Sequence, residues 1–410
     1  MYCEKILKNG IRFFGEQNKN ARSVAVGIFV KAGSATEIET ENGLSHFLEH
    51  MLFKGTKKRD YQQIAEDFDH LGVQSNAYTA KELTCYHIRV IDDKLYEALD
   101  VLTDMVAAST LPKEQVEKER MVILEEIAMT LDTPDDLLME ELMQSFFADT
   151  ALSKTILGPK EKIAAYQRED LFTYQEKYYA GKNMVVCAVG NFEEATLVSF
   201  LEEKLSDIKP GETPVSYEKN MEWKPQKKRF SIERDIEQAH IGMAFPGASL
   251  FDENRFAYSI VATILGGNMS SRLFQKIREE MGAAYAVYAY PMTYSEAGSM
   301  VVYAGTSARE KERVEEAILT ELKKIKKEGI TQAELEYAKI QLSAQYVLGQ
   351  ESGASRLMSL GRNVLLLGQP HTESEVLTKI NNISMQDIKN VLECAFLPEE
   401  AVTGIVMPKK

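Results

Sequence analysis

Two histidines one helical turn apart are the residues of this chain best spaced for chemistry. In ENGLSHFLEHMLFKGT (41–56), His46 and His50 stand at i and i+4 with Glu49 between them. On a helix this spacing puts both imidazoles on one face, where they can share a metal ion. Glu49, three residues from His46 and next to His50, can face the same ion without being needed as a ligand. The pattern H-x-x-E-H reverses the commoner H-E-x-x-H, and the chemistry it suggests is the same: a water acidified by the metal gives its proton to a nearby Glu. A surface helix with two unrelated histidines is the plainer alternative. Against it, only six histidines occur in 410 residues, and two of them fall here.

A catalytic site with two His needs a third protein ligand and an open position. Candidates come from Pro112–Glu141, which holds ten acidic and three basic residues, a net −7 out of the chain's −14. On the helix expected over Lys113–Met129, Val116, Glu119, Arg120, Ile123, Glu126 and Ile127 share one stripe. Glu119 and Glu126 thus lie two turns apart among apolar neighbours, and an inward carboxylate needs a partner. Either could be the third ligand. Glu114, Glu117 and Glu125 fall off the stripe and read as solvated. A purely structural zinc site would need a fourth protein ligand, and no Cys or His stands near these motifs.

These residues need elements to hold them. The helix expected over 41–56 has an apolar face of Leu44, Phe47, Leu48, Met51 and Leu52, with Gly55 placed as its C-terminal cap. Residues 22–31 (RSVAVGIFVK) read as a strand that ends in a turn, and so do residues 240–249 (HIGMAFPGAS). Gly27 and Gly242 are 215 apart, and Gly33 and Gly247 are 214 apart. The helix, loop, helix pattern of 91–127 returns at 307–345, with Leu111 and Ile330, and Val116 and Leu335, each 219 apart. Chance likeness between two mixed halves is the simpler explanation. The kept order of elements together with the kept offset favours an internal duplication, two copies of one domain.

The second copy is then an internal control. At these offsets His46, Glu49 and His50 fall on Val261, Ile264 and Leu265, while Glu119 and Glu126 fall on Ala338 and Gln345. The fold does not demand the polar set, and one metal per chain is expected. The expected class is α+β: two homologous domains, each a mostly antiparallel sheet with helices packed on one face. A first domain over 1–208, a linker at 209–228 and a second domain over 229–410 follow from the prolines and charge of 206–230.

Composition narrows the partners. A net charge of −14 repels nucleic acid and anionic membrane surfaces. The longest apolar runs fall short of the roughly 18–20 residues that span a bilayer, and the mixed-charge start MYCEKILKNGIRFFGEQ does not read as a signal peptide, so a cytoplasmic protein is expected. Cys3, Cys85, Cys187 and Cys394 lie too far apart in sequence to indicate a disulfide framework or a CxxC metal site.

HFLEHMLFKGT (46–56) closely resembles the signature of the processing-peptidase branch of the inverzincin metallopeptidases, the family of pitrilysin, insulin-degrading enzyme and the mitochondrial processing peptidase. The Glu of ERMVILEEI (119–127) that lies 76 residues after His50 matches the family's third zinc ligand, so the resemblance favours Glu126 and gives Glu119 a supporting role. NAYTAKELTCYH (76–87) resembles the family's substrate-pairing strand, with Asn76 and Ala77 at the motif positions. In LGGNMSSRLFQKIREEMGAAYAVYAY (265–290), Arg278 and Tyr285 match a pair that reaches the scissile peptide from the opposite half.

The resemblance implies a zinc endopeptidase acting on extended peptides or unfolded segments. His46, His50 and Glu126 would hold the metal and Glu49 would act as base, while Tyr285 stabilises the oxyanion and Arg278 holds the substrate backbone. The alternative is a peptide-binding or regulatory protein on an inactive peptidase scaffold. Single-chain relatives with four such domains form a clamshell. A homodimer is therefore expected, in which Arg278 and Tyr285 of one subunit face the zinc of the other.

Overall fold

The computed structural model describes residues 2–212 and 223–409, so half of the linker expected at 209–228 lies outside the described residues. The first sheet contains β1 (Tyr2–Ile6), β2 (Arg12–Gln17), β3 (Ser23–Val30), β4 (Gln74–Thr79), β5 (Thr84–Ile91) and β6 (Met184–Gly190), in the order β1-β2-β6-β3-β5-β4. The second contains β7 (Lys228–Arg234), β8 (Gln238–Gly247), β9 (Ala284–Thr293), β10 (Gly298–Ser307) and β11 (Val402–Pro408), in the order β7-β11-β8-β10-β9. Apart from the added edge strand β1, the two orders are the same. Each sheet has one parallel pair, β2 with β6 and β7 with β11, in an otherwise antiparallel ladder.

The register repeats as well. Gly27 pairs with His87 and Cys187, while Gly242 pairs with Tyr303 and Gly404. The expected duplication therefore holds at the level of individual strand partners. A one-residue slip would send every side chain to the wrong face, so shared register is a strict test.

The helices repeat too. The first half has α1 (Leu44–Leu52), α2 (Tyr61–His70), α3 (Leu95–Ala108), α4 (Lys113–Asp132), α5 (Pro134–Phe146), α6 (Lys160–Ala165), α7 (Arg168–Tyr178) and α8 (Glu194–Lys204). The second has α9 (Arg255–Gly266), a π-helical turn at Phe274–Glu280, α10 (Lys311–Glu328), α11 (Gln332–Gly349), α12 (Gly353–Leu367), α13 (Glu373–Asn381) and α14 (Met385–Cys394). Among the described residues no helix is long and apolar enough to cross a membrane.

Alternation along β3 explains the layers. Val24, Val26, Ile28 and Val30 join the main core beneath α1, α3, α7 and α8. The opposite face offers Gly27 and Phe29 to α12, where the Phe29 ring sits against Gly361 so closely that a Cβ there would clash. In the second sheet α5 lies on β8 and β11, with Leu138 and Leu142 against Gly242. Most helices cover one face of each sheet, as the sequence suggests, and a single helix covers the other. That helix comes from the other half of the sequence: residues 349–371 cluster with the first unit and residues 128–153 with the second.

Candidate metal centre

α1 forms because Leu44, Phe47, Leu48, Met51 and Leu52 recur at helical spacing and are all buried. Each such side chain contributes about 1.5–3 kcal/mol, which fixes the helix and turns its other face outward. The start is set from outside the helix. Gly43 takes φ +100° and has no side chain to cap with, so the buried Glu37 carboxylate accepts from the N–H groups of Gly43 (2.9 Å) and Ser45 (2.8 Å). Burial pushes the Glu37 carboxyl up, against the pull of these donors. A helix over the whole of 41–56 is therefore corrected at both ends. It ends at Leu52, and Gly55, at φ +145°, starts a loop and does not cap the helix.

α4 brings the third side chain. Val116, Glu119, Arg120 and Ile123 are its buried stripe, while Glu114, Glu117 and Glu125 are exposed, as their spacing suggests. Arg120 locks the helix down: its guanidinium donates to the carbonyls of Ile163 and Tyr166 and lies 5.7 Å from the centre of the Phe47 ring on α1. Losing it would leave two carbonyls without this donor, at about 1–3 kcal/mol each where they are buried.

The polar faces of α1 and α4 then converge. His46 Nε2 lies 3.6 Å and His50 Nε2 3.7 Å from Glu126 Oε2, and ligand atoms of the three residues all fall within 4.8 Å of one another. Tetrahedral zinc ligands at their usual bond lengths of about 2.0–2.2 Å sit roughly 3.3–3.6 Å apart. The three side chains fit such an ion with little movement.

Glu119 acts one step back. Its Oε2 lies 3.0 Å from His50 Nδ1, and its Oε1 accepts from Lys54 Nζ at 2.8 Å. Burial would raise this carboxyl, but the hydrogen bonds from His50 and Lys54 outweigh it and hold the group below the usual range. An ionised Glu119 assigns the proton of His50 to Nδ1 and leaves the Nε2 lone pair free for a metal. His46 differs: its Nδ1 is buried with no hydrogen-bond partner among the described residues. Desolvation, aided by His50, lowers its pKa to about 3, so the ring stays neutral.

Glu49 stands beside the ligands with its carboxyl raised by burial, an effect partly offset by a 2.5 Å hydrogen bond from Thr79 Oγ1 on β4. Asn76 and Ala77 lie on the same strand, the outer edge of the sheet, with the Asn76 side chain accepting from the Ala77 N–H. Arg278 and Tyr285 belong to the second unit. Arg278, on the π-helical turn, stacks over Phe274, and Tyr285, about half exposed at the start of β9, covers Gly305.

Two further residues contribute to the site. Lys54 follows His50 by four residues, the same interval as the histidine pair, and Thr79 ends the NAYT run that carries Asn76 and Ala77. In the second unit the matching place is a cleft of about 660 Å³ lined by residues including Ala262, Gly266, Tyr288, Ala289 and Gln345, with no His or Cys in its lining.

Comparisons with known proteins agree with this division. The family described as insulinase, peptidase family M16, matches residues 12–160, and the peptidase M16 inactive domain matches residues 165–342. An uncharacterized zinc protease of Bacillus subtilis is 35% identical over 97% of this chain and 96% of its own length. One from Rickettsia felis is 36% identical over 95% and 94%. A protease of known structure from Helicobacter pylori, at 21% identity, superposes with a TM-score of 0.91 over 100% of this chain and 99% of its own, which shows the shared fold.

Proposed function

The chain belongs to peptidase family M16, and we propose that it is a zinc-dependent metalloendopeptidase that hydrolyses extended peptides or unfolded protein segments. The observation that carries this reading is the convergence of His46, His50 and Glu126 on one point with Glu49 beside them. When bound, zinc supplies a Lewis acid that acidifies water and polarises the peptide carbonyl. The protein does the rest. His46, His50 and Glu126 hold one ion per chain, and Glu119 fixes the ring of His50. Glu49 takes the proton from the attacking water and passes it to the leaving amine.

The free edge of β4, with Asn76 and Ala77, receives the substrate as an added strand, so the substrate must be extended. Tyr285 donates to the developing oxyanion and Arg278 holds the substrate backbone. In this reading residues 1–208 form the catalytic domain, 209–228 the joint, and 229–410 the domain that brings Arg278 and Tyr285 to the zinc of a second copy in a homodimer. A cytoplasmic location is part of the same proposal.

Hydrolysis of an unstructured fluorogenic peptide by the wild type, Glu49→Gln and chelated protein tests the reading. Glu49→Gln should lose about 10²–10⁴ in kcat, and the chelated protein should regain activity when zinc is restored. If all three behave alike, the chain is a peptide-binding protein on a peptidase scaffold and not an enzyme.

A further inference from the structure

The hydrogen bond to Glu49 comes from the strand that would receive the substrate. Thr79 is the last residue of β4, paired with Thr84 across the turn that closes where Ala80 N–H donates to Leu83 at 2.8 Å. The hydroxyl protons can be assigned. Thr84 Oγ1, fully buried, donates to the carbonyl of Ala32 at 2.9 Å, so across the 3.3 Å gap it can only accept, and the Thr79 proton has the choice of Thr84 or the much nearer Glu49 carboxylate. That proton goes to Glu49 Oε2 at 2.5 Å. One carboxylate oxygen is thus committed and the other is left for the water.

The second copy gives an independent comparison. Thr79 opposite Thr84 in β4 and β5 corresponds by register to Pro291 opposite Met300 in β9 and β10. In the matching cleft Ala262 and Pro291 take the places of carboxylate and donor, and the supporting hydroxyl becomes Met300. The sheet keeps its pairing at this point without either threonine, so the fold does not require the hydroxyl pair. Donor and acceptor are present together in one half and absent together in the other.

We propose that Thr79 is a positioning residue for Glu49, tying the orientation of the general base to the edge strand on which the peptide is added. The proposal rests on the peptidase reading above. A peptide laid along β4 would stiffen the strand and with it the donor, so that the base is best held when substrate is in place. The effect belongs in turnover and not in ground-state binding, because Thr79 acts through Glu49.

The test compares wild type, Thr79→Val and Thr79→Ser on a fluorogenic peptide, with the zinc content of each measured alongside. Thr79→Val keeps the volume and removes the donor: kcat should fall roughly 10–100-fold, with KM within about twofold and zinc content unchanged. Thr79→Ser, which restores a hydroxyl, should return kcat to within about threefold of wild type. A Thr79→Val enzyme with kcat within twofold of wild type overturns the proposal. So does a rise in KM at constant kcat, or loss of zinc, since either assigns Thr79 to strand or metal site. Wild type that holds zinc and cleaves no peptide defeats the peptidase reading itself, a result separate from all of these.

Discussion

α1 and α9 take the same place beside two sheets of matching strand order, yet only α1 presents imidazoles and a carboxylate there. Val261, Ile264 and Leu265, on which His46, Glu49 and His50 fall at the sequence offset, are turned into the core of the second unit; the positions of α9 that line the matching cleft hold Ser259, Ala262 and Thr263. α1 keeps two imidazoles and a carboxylate at the same positions, one with a buried Nδ1 that has no partner among the described residues. Such an orphan costs about 1–3 kcal/mol, whereas burying an aliphatic side chain contributes about 1.5–3 kcal/mol. The first half therefore carries residues that its fold would be more stable without, and their convergence is best explained by what they can hold.

The strongest way to break this comparison is to strip the converging polar side chains from the first half. His46→Val, His50→Leu and Glu126→Gln together should abolish peptide hydrolysis, a loss exceeding about 10⁴-fold. The melting temperature of the metal-free protein should stay level or rise, measured by calorimetry. A fall of several degrees would mean that the polar set supports the fold after all.

Next in size is the contribution of the second half. Tyr285→Phe should lower kcat by about 10²-fold. Mixed with Glu49→Gln chains, it should regain about a quarter of wild-type activity, because random pairing makes half of the dimers mixed and gives each one intact site. No recovery would place both residues in the same subunit's site, or remove the dimer.

Glu119→Gln should weaken zinc binding by about 10–100-fold, read by competition with a chelator. Ala338→Gln at the matching position of α11 should leave zinc affinity unchanged. Equal effects at the two positions would erase the distinction between the halves.

Much of this contrast is legible in the sequence because it rests on short-range spacing. The interval from His46 to His50 and the stripe from Val116 to Ile127 need only helical geometry. Which carboxylate would be the third ligand was not legible from spacing, since Glu119 and Glu126 share that stripe and the docking of α4 through Arg120 sets which one faces both Nε2 atoms. The resemblance pointed to Glu126, and Glu126 is the carboxylate that lies near Nε2 of both histidines. The bounds of α1 were missed because its cap, Glu37, lies outside the helix. The exchange of α5 and α12 between the units was invisible, as it depends on contacts far apart in the chain. Thr79 carries no signal of its own in the sequence, because a threonine at a strand end is ordinary until a carboxylate is found beside it.

The smallest effect expected is a pH dependence. His46 takes up its proton near pH 6.5 when unfolded and only near pH 3 when folded, so the unfolded state binds more protons between these values. Stability of the metal-free protein should therefore fall as the pH drops through that window, by at most about 2 kcal/mol between pH 7 and pH 5. Glu49, whose folded carboxyl is raised, works in the opposite direction above its ordinary value. His46→Val should remove the fall, and an unchanged pH profile in that variant would show that the histidine is not its source.

The central claim is that one half of a duplicated fold holds a single metal ion and the other holds none. Calorimetric titration of the metal-free protein with zinc tests it most directly. The account requires one tight site per intact chain and none after His46→Val, His50→Leu and Glu126→Gln. A stoichiometry of zero or two in the intact chain, or a tight site that survives those three substitutions, would contradict it.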